Sequence, residues 1–186
     1  LTSWFTDWVS LSPGTFSNQT RPENATLELH KDTLFTGSAT EGDQYAELDG
    51  DWEGPDGSGS GEPASTKIYQ ELETWPGYQY QVTFDFSPRP DTGAGDNVLE
   101  FSWDGSLEDT ISRAGSGSLD WSDHSYLVFA TGQTTTIQFA DGGTSNSLGT
   151  FLDNVSVRCI PPQNECEYGQ ERPCDTGEYG ICSTGT

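Results

Sequence analysis

From residue 24 to residue 157 the chain is written in short runs of alternating apolar and polar residues, each closed by Gly, Pro, Asp or Ser. A period of two sends successive side chains to opposite faces of a strand, so such runs with breakers between them predict many short antiparallel strands. The predicted strands are NATLELHKD (24–32), QYAELDG (44–50), TKIYQEL (66–72), YQYQVTFDFS (78–87), NVLEFSWDG (97–105), LEDTISR (107–113), HSYLVFA (124–130), TTTIQFA (134–140) and TFLDNVSV (150–157). Residues 1–20 are less regular, and no segment has helical periodicity. Strands of this kind bury their apolar faces against one another, which predicts an all-β fold, an antiparallel β-sandwich of jelly-roll type. Six Trp, seven Tyr and nine Phe supply its core. Counting up and down the sandwich puts the connections 51–65, 88–96, 114–123 and 141–149 at one end and the turns TWPG, DGS and TGQ at the other. The loop-rich end is where binding residues are expected.

Thirty acidic residues against seven basic ones give a formal charge of -23. That charge repels phosphate backbones, anionic membranes and sulfated polysaccharides, so neither nucleic acid nor a membrane is an expected partner. It suits a protein that works in salt water or gathers divalent cations. The cysteines Cys159, Cys166, Cys174 and Cys182 all follow the last predicted strand, at spacings unlike those of a zinc site. They read as disulfides, hence export, and divide the chain into a sandwich domain (1–158) and a cysteine-rich linker or module start (159–186). A chain that opens on Leu1 and contains no Met reads as a segment of something longer.

Several residues stand out chemically. In DGDWEGPDGSGSGE (49–62), Asp49, Asp51 and Glu53 alternate ahead of Gly54 as in a calcium-binding loop, but the twelfth position is Ser60 rather than Glu. The alternative is a merely acidic loop. Asp153 sits among Phe151, Leu152, Val155 and Val157, where a carboxylate needs a partner. It is a candidate calcium ligand, a hydrogen-bonded structural residue or a solvent-exposed one. Arg89, fixed between two prolines, and Asn97 are candidate sugar contacts at the loop-rich end, with ion pairing as the alternative for Arg89. Trp52 and Trp121, in loops, are candidate stacking platforms, whereas Leu99, Phe101 and Trp103 fall on the core face of their strand. With so many acids some carboxylate pair always exists, and no G-x-S-x-G occurs, so no catalytic residue is assigned.

The stretches YAELDGD, IYQELETWPGYQYQVTFDFSPRP, NVLEFSWDG and GTSNSLGTFLDNVSV resemble secreted bacterial jelly-roll domains of the galactose-binding-like fold, related to the DUF642 group and to carbohydrate-binding modules. The resemblance spans roughly residues 24–158. It implies an extracellular carbohydrate-binding module of a larger polysaccharide-degrading enzyme or adhesin, with a structural calcium held by Asp153. The expected partner is a polysaccharide, neutral or calcium-bridged, bound by a monomeric module tethered to other domains. The alternative is an adhesive, calcium-stiffened surface domain without glycan affinity, and a glycan hydrolase or lyase is the third reading. The N-terminal LTSWFTDWVS departs from the N-x-x-F-E opening of related domains.

Overall fold

The computed structural model describes residues 4–9, 15–16, 19–20, 27–52 and 62–160. These contain no helix and thirteen strands: β1 (Phe5–Trp8), β2 (Thr15–Phe16), β3 (Gln19–Thr20), β4 (Glu28–Lys31), β5 (Gln44–Glu47), β6 (Asp49–Trp52), β7 (Glu62–Glu73), β8 (Gln79–Ser87), β9 (Val98–Trp103), β10 (Ser106–Ser112), β11 (Ser122–Phe129), β12 (Thr134–Asp141) and β13 (Phe151–Ile160). One sheet runs β1-β7-β12-β9-β10, with β6 also on β7, and the other runs β11-β8-β13-β5-β4. Every pairing in both is antiparallel. The molecule is therefore the antiparallel jelly-roll sandwich that the alternation predicts.

The two sheets meet through aromatic rings. Val82, Phe84 and Phe86 of β8 face Leu99 and Phe101 of β9 and Ile137 and Phe139 of β12, all fully buried or nearly so. Phe84 meets Phe139 edge-on at 4.8 Å, and Phe101 stacks on Phe139 at 5.4 Å, so rings from both layers interlock. The chain changes sheets at Leu48. Its N–H donates to Thr150 O at 3.1 Å on one side, and its carbonyl accepts from Thr66 N at 2.7 Å on the other. Fully buried, it locks the edges of both layers together.

Three details depart from the sequence reading. Within the irregular first twenty residues, β1 pairs with β7 in register Phe5↔Tyr69 to Trp8↔Thr66. The acidic alternation at 49–52 is not a loop but strand β6, zipped to residues 62–65. Strand β13 runs on through Cys159 to Ile160, past the predicted strand end at 157. Cys159 is disulfide-bonded, while the remaining cysteines and the rest of the 159–186 segment lie outside the described residues.

Phe101→Ala should lower the unfolding free energy by about 3–5 kcal/mol in urea denaturation, the usual cost of emptying a buried phenylalanine site. A loss under about 1 kcal/mol would contradict the packing of the two layers through this ring.

Candidate functional site

The turn end carries a groove. Tyr78 N donates to Trp75 O at 3.1 Å, with Pro76 and Gly77 (φ 81°) between them, the residues that a type II turn demands at its two central positions. Trp75 N donates to Tyr80 Oη at 2.9 Å, and Thr74 N donates to Gln133 O at 2.9 Å, which ties this turn to the neighbouring one. Glu73 and Thr134 are cross-strand partners on β7 and β12. Glu73, Thr74, Trp75, Gln133 and Thr134 line an open groove of about 340 Å³, with Trp75 45% exposed. None of these residues stood out in the sequence, where TWPG read simply as a turn. The available signal was a tryptophan at a turn position that the core does not require.

The loop-rich end is occupied by internal charge networks. Arg89 points inward: Nη1 donates to Glu47 Oε1 at 2.5 Å, and the guanidinium lies over the rings of Phe35 and Phe151. The ion pair weighed as the alternative for Arg89 is thus present. Glu47, fully buried, also accepts from Gly149 N at 2.9 Å and hydrogen-bonds His30 Nε2 at 2.5 Å. Glu28 approaches His30 Nε2 at 3.4 Å and accepts from Asp51 N at 3.0 Å. Glu28, His30 and Glu47 converge closely enough to ligate one metal ion, although Arg89 and His30 already engage both oxygens of Glu47. Asn97 is fully buried and spent inside its loop, accepting from Arg89 N at 2.7 Å and donating to Thr92 Oγ1 and Gly93 O. It shapes the 88–97 connection and offers nothing to a ligand from solution. Trp121 donates its indole N–H to Ser38 O at 2.8 Å and packs edge-on against Tyr45. The side chain of Trp52 lies outside the described residues.

Asp153 marks a register shift. The pairing of β13 with β8 breaks between Asp153 and Ser156, and Asn154 adopts φ 52°, a left-handed conformation that asparagine tolerates. The bulge changes the phase of the strand, so that Leu152 and then Val155, Val157 and Cys159 all reach the core. The Asp153 carboxylate turns to the loop between β4 and β5. Its Oδ2 accepts from Thr40 N at 2.8 Å, Thr40 Oγ1 at 3.0 Å and Glu41 N at 3.0 Å, and its Oδ1 from Asn154 N at 2.8 Å. These donors satisfy both oxygens without a cation. Asp51, exposed on β6, belongs to no carboxylate cluster among the described residues.

Asp49 and Asp141 are differently placed. Asp49 Oδ2 accepts from Asn146 N at 2.7 Å and Ser147 N at 3.0 Å, so the 142–149 loop wraps it. Burial nevertheless raises its pKa from the ordinary value. Asp141, 1% exposed, accepts from Gly143 N at 3.0 Å through Oδ1, while Oδ2 has no hydrogen-bond partner. Ser65 stands beside both carboxylates, its hydroxyl 3.3 Å from Asp49 Oδ1, and its single proton can serve only one of them. Burial first, then the nearby charges of Asp49 and Glu100, push Asp141 up to about 6. No Lys or Arg is paired with either group among the described residues.

No family model matches the chain, and no curated protein matches it. Solved structures that resemble it include a native family 35 carbohydrate-binding module from Clostridium thermocellum, 12% identical over 73% of this chain and 92% of that one, with a TM-score of 0.44. Others are the enzymatically active domain of bacteriophage CBA120 tailspike protein 4 (14%; 86% and 19%; TM-score 0.46) and a family 61 carbohydrate-binding module in complex with β-1,4-galactotriose (16%; 70% and 80%; TM-score 0.40). Each similarity is distant, and none transfers a residue role.

A carboxyl whose folded pKa is raised to about 6 from 3.8 stabilises the fold when protonated, and that contribution is lost as pH rises through 6. In chelator, Asp141→Asn should therefore be more stable than the parent at pH 7 by up to about 3 kcal/mol, with the gap closing towards pH 4. Urea unfolding of both proteins across that range checks it; a gap that is constant or widens on acidification contradicts the assignment.

Proposed function

We propose that this chain is a non-catalytic carbohydrate-binding module whose sugar lies in the groove at Trp75. The observation that carries the proposal is an indole half open to solvent, held by a hydrogen-bonded turn and flanked by a carboxylate, an amide and hydroxyls. A pyranose has an apolar C–H face and a rim of hydroxyls. The indole takes the first, and Glu73, Gln133 and Thr134 take the second. A net charge of -23 and the presence of Glu73 in the groove favour a neutral polysaccharide over a sulfated or uronic one. Export, and attachment to a larger secreted polysaccharide-degrading enzyme or adhesin, complete the reading. Calcium belongs to it as a structural cofactor rather than a bridge to the sugar, since the groove is at the turn end and the networked carboxylates are at the other.

Affinity electrophoresis through gels of neutral polysaccharides, backed by calorimetry with the matching oligosaccharides, tests this. The parent protein should be retarded by at least one glycan, and Trp75→Ala should weaken that binding tenfold or more, about 1.4 kcal/mol, without lowering the melting temperature. Trp121→Ala should retain the affinity. No retardation by any neutral glycan would favour a purely adhesive surface domain, and equal binding by Trp75→Ala would put the sugar elsewhere on the module.

A further inference from the structure

We propose that Asp49 and Asp141, together with the hydroxyls of Ser65 and Ser145, form a binding site for one calcium ion at the loop end of the sandwich. The site joins residues far apart in the chain: the start of β6, the end of β12, β7 and the loop after β12. It lies at the opposite end from Trp75, so it stands apart from the glycan-binding reading.

Three observations carry it. First, Asp141 Oδ2 is a carboxylate oxygen with no hydrogen-bond partner in a residue 1% exposed, and Ser65 and Asp49 stand beside that carboxylate. Natural folds seldom leave such an oxygen unmet. Second, two buried carboxylates stand together, with Glu100 near Asp141 and no basic side chain paired with either aspartate among the described residues. Burial of that much negative charge calls for a cation. Third, Ser65 Oγ and Ser145 Oγ stand 3.3 and 3.4 Å from Asp49 Oδ1. These hydroxyls add neutral oxygen donors beside the paired carboxylates, the mixed oxygen set that calcium takes.

The donor set selects the ion. All four groups are hard oxygens with no histidine or thiol, which suits calcium over zinc or copper. Magnesium, smaller and reluctant to give up its water, fits a site built from protein oxygens poorly. Gly142 and Gly143 let the covering loop run close: a β-carbon at Gly143 would stand 2.4 Å from Asp96 O and 3.1 Å from Asp141 Oδ1. The loop that covers the ion is thus the one that already cradles Asp49.

The test is thermal unfolding of the full chain in excess chelator and in millimolar calcium, with millimolar magnesium as a control. The parent should melt about 5–11 °C higher when calcium is a hundredfold above its Kd, and magnesium should give little of that. Asp141→Asn should melt above the parent in chelator and lose the calcium shift, whereas Asp153→Asn should keep it. Equal melting of the parent in chelator and calcium overturns the proposal, as does a full shift in Asp141→Asn. Loss of the shift in Asp153→Asn alone would move the ion to Asp153 and equally overturn it. Glycan affinity enters none of these readouts, so the Trp75 groove stands or falls separately.

Discussion

Thirty acids and seven bases in one chain mean that a carboxylate carried into the sandwich can rarely be met by a basic side chain. The structure meets this constraint with N–H and O–H groups. Asp153 is held by Thr40, Glu41 and Asn154, and Asp49 by the backbone of Asn146 and Ser147. Glu47, fully buried, takes one of the few arginines as well as Gly149 N–H. The connections 32–43, 88–97 and 142–149 therefore serve one common purpose, bringing donors to acids carried on other strands. Asp141 is where that supply runs short.

This constraint divides the molecule. Interlocked phenylalanines hold the two sheets face to face, and Leu48 ties their edges. At one end the long loops are consumed in satisfying buried charge, which turns Arg89 and Asn97 inward. At the other end the turns are short, need no such service, and leave Trp75 open beside Glu73 and Gln133.

Much of this was legible in the sequence. Period-two alternation located strands β7 to β13 and put Leu99, Phe101 and Trp103 in the core, because burial on one face of a strand writes itself directly into residue order. The direction of side chains in loops was not legible. Arg89 between prolines could equally have faced solvent, and only folding brings Glu47 beneath it. The bulge at Asp153 did leave a trace, since the core positions change from even to odd between Leu152 and Val155, a phase slip that a carboxylate in an apolar run disguises. Asp141 gave no signal, because its anomaly exists only once β12 lies beside the start of β6.

The central claim is a division of labour: cation at the loop end, glycan at the turn end. It is tested most directly by mapping amide chemical-shift changes in the isotopically labelled protein on successive addition of calcium and a neutral oligosaccharide. The account predicts that calcium moves the amides of Asp49, Ser65 and residues 141–149, and that the sugar moves those of residues 73–78 and 131–134. Sugar-induced shifts centred on Arg89 and Trp121, or calcium-induced shifts confined to Asp153 and the 32–43 loop, would contradict it.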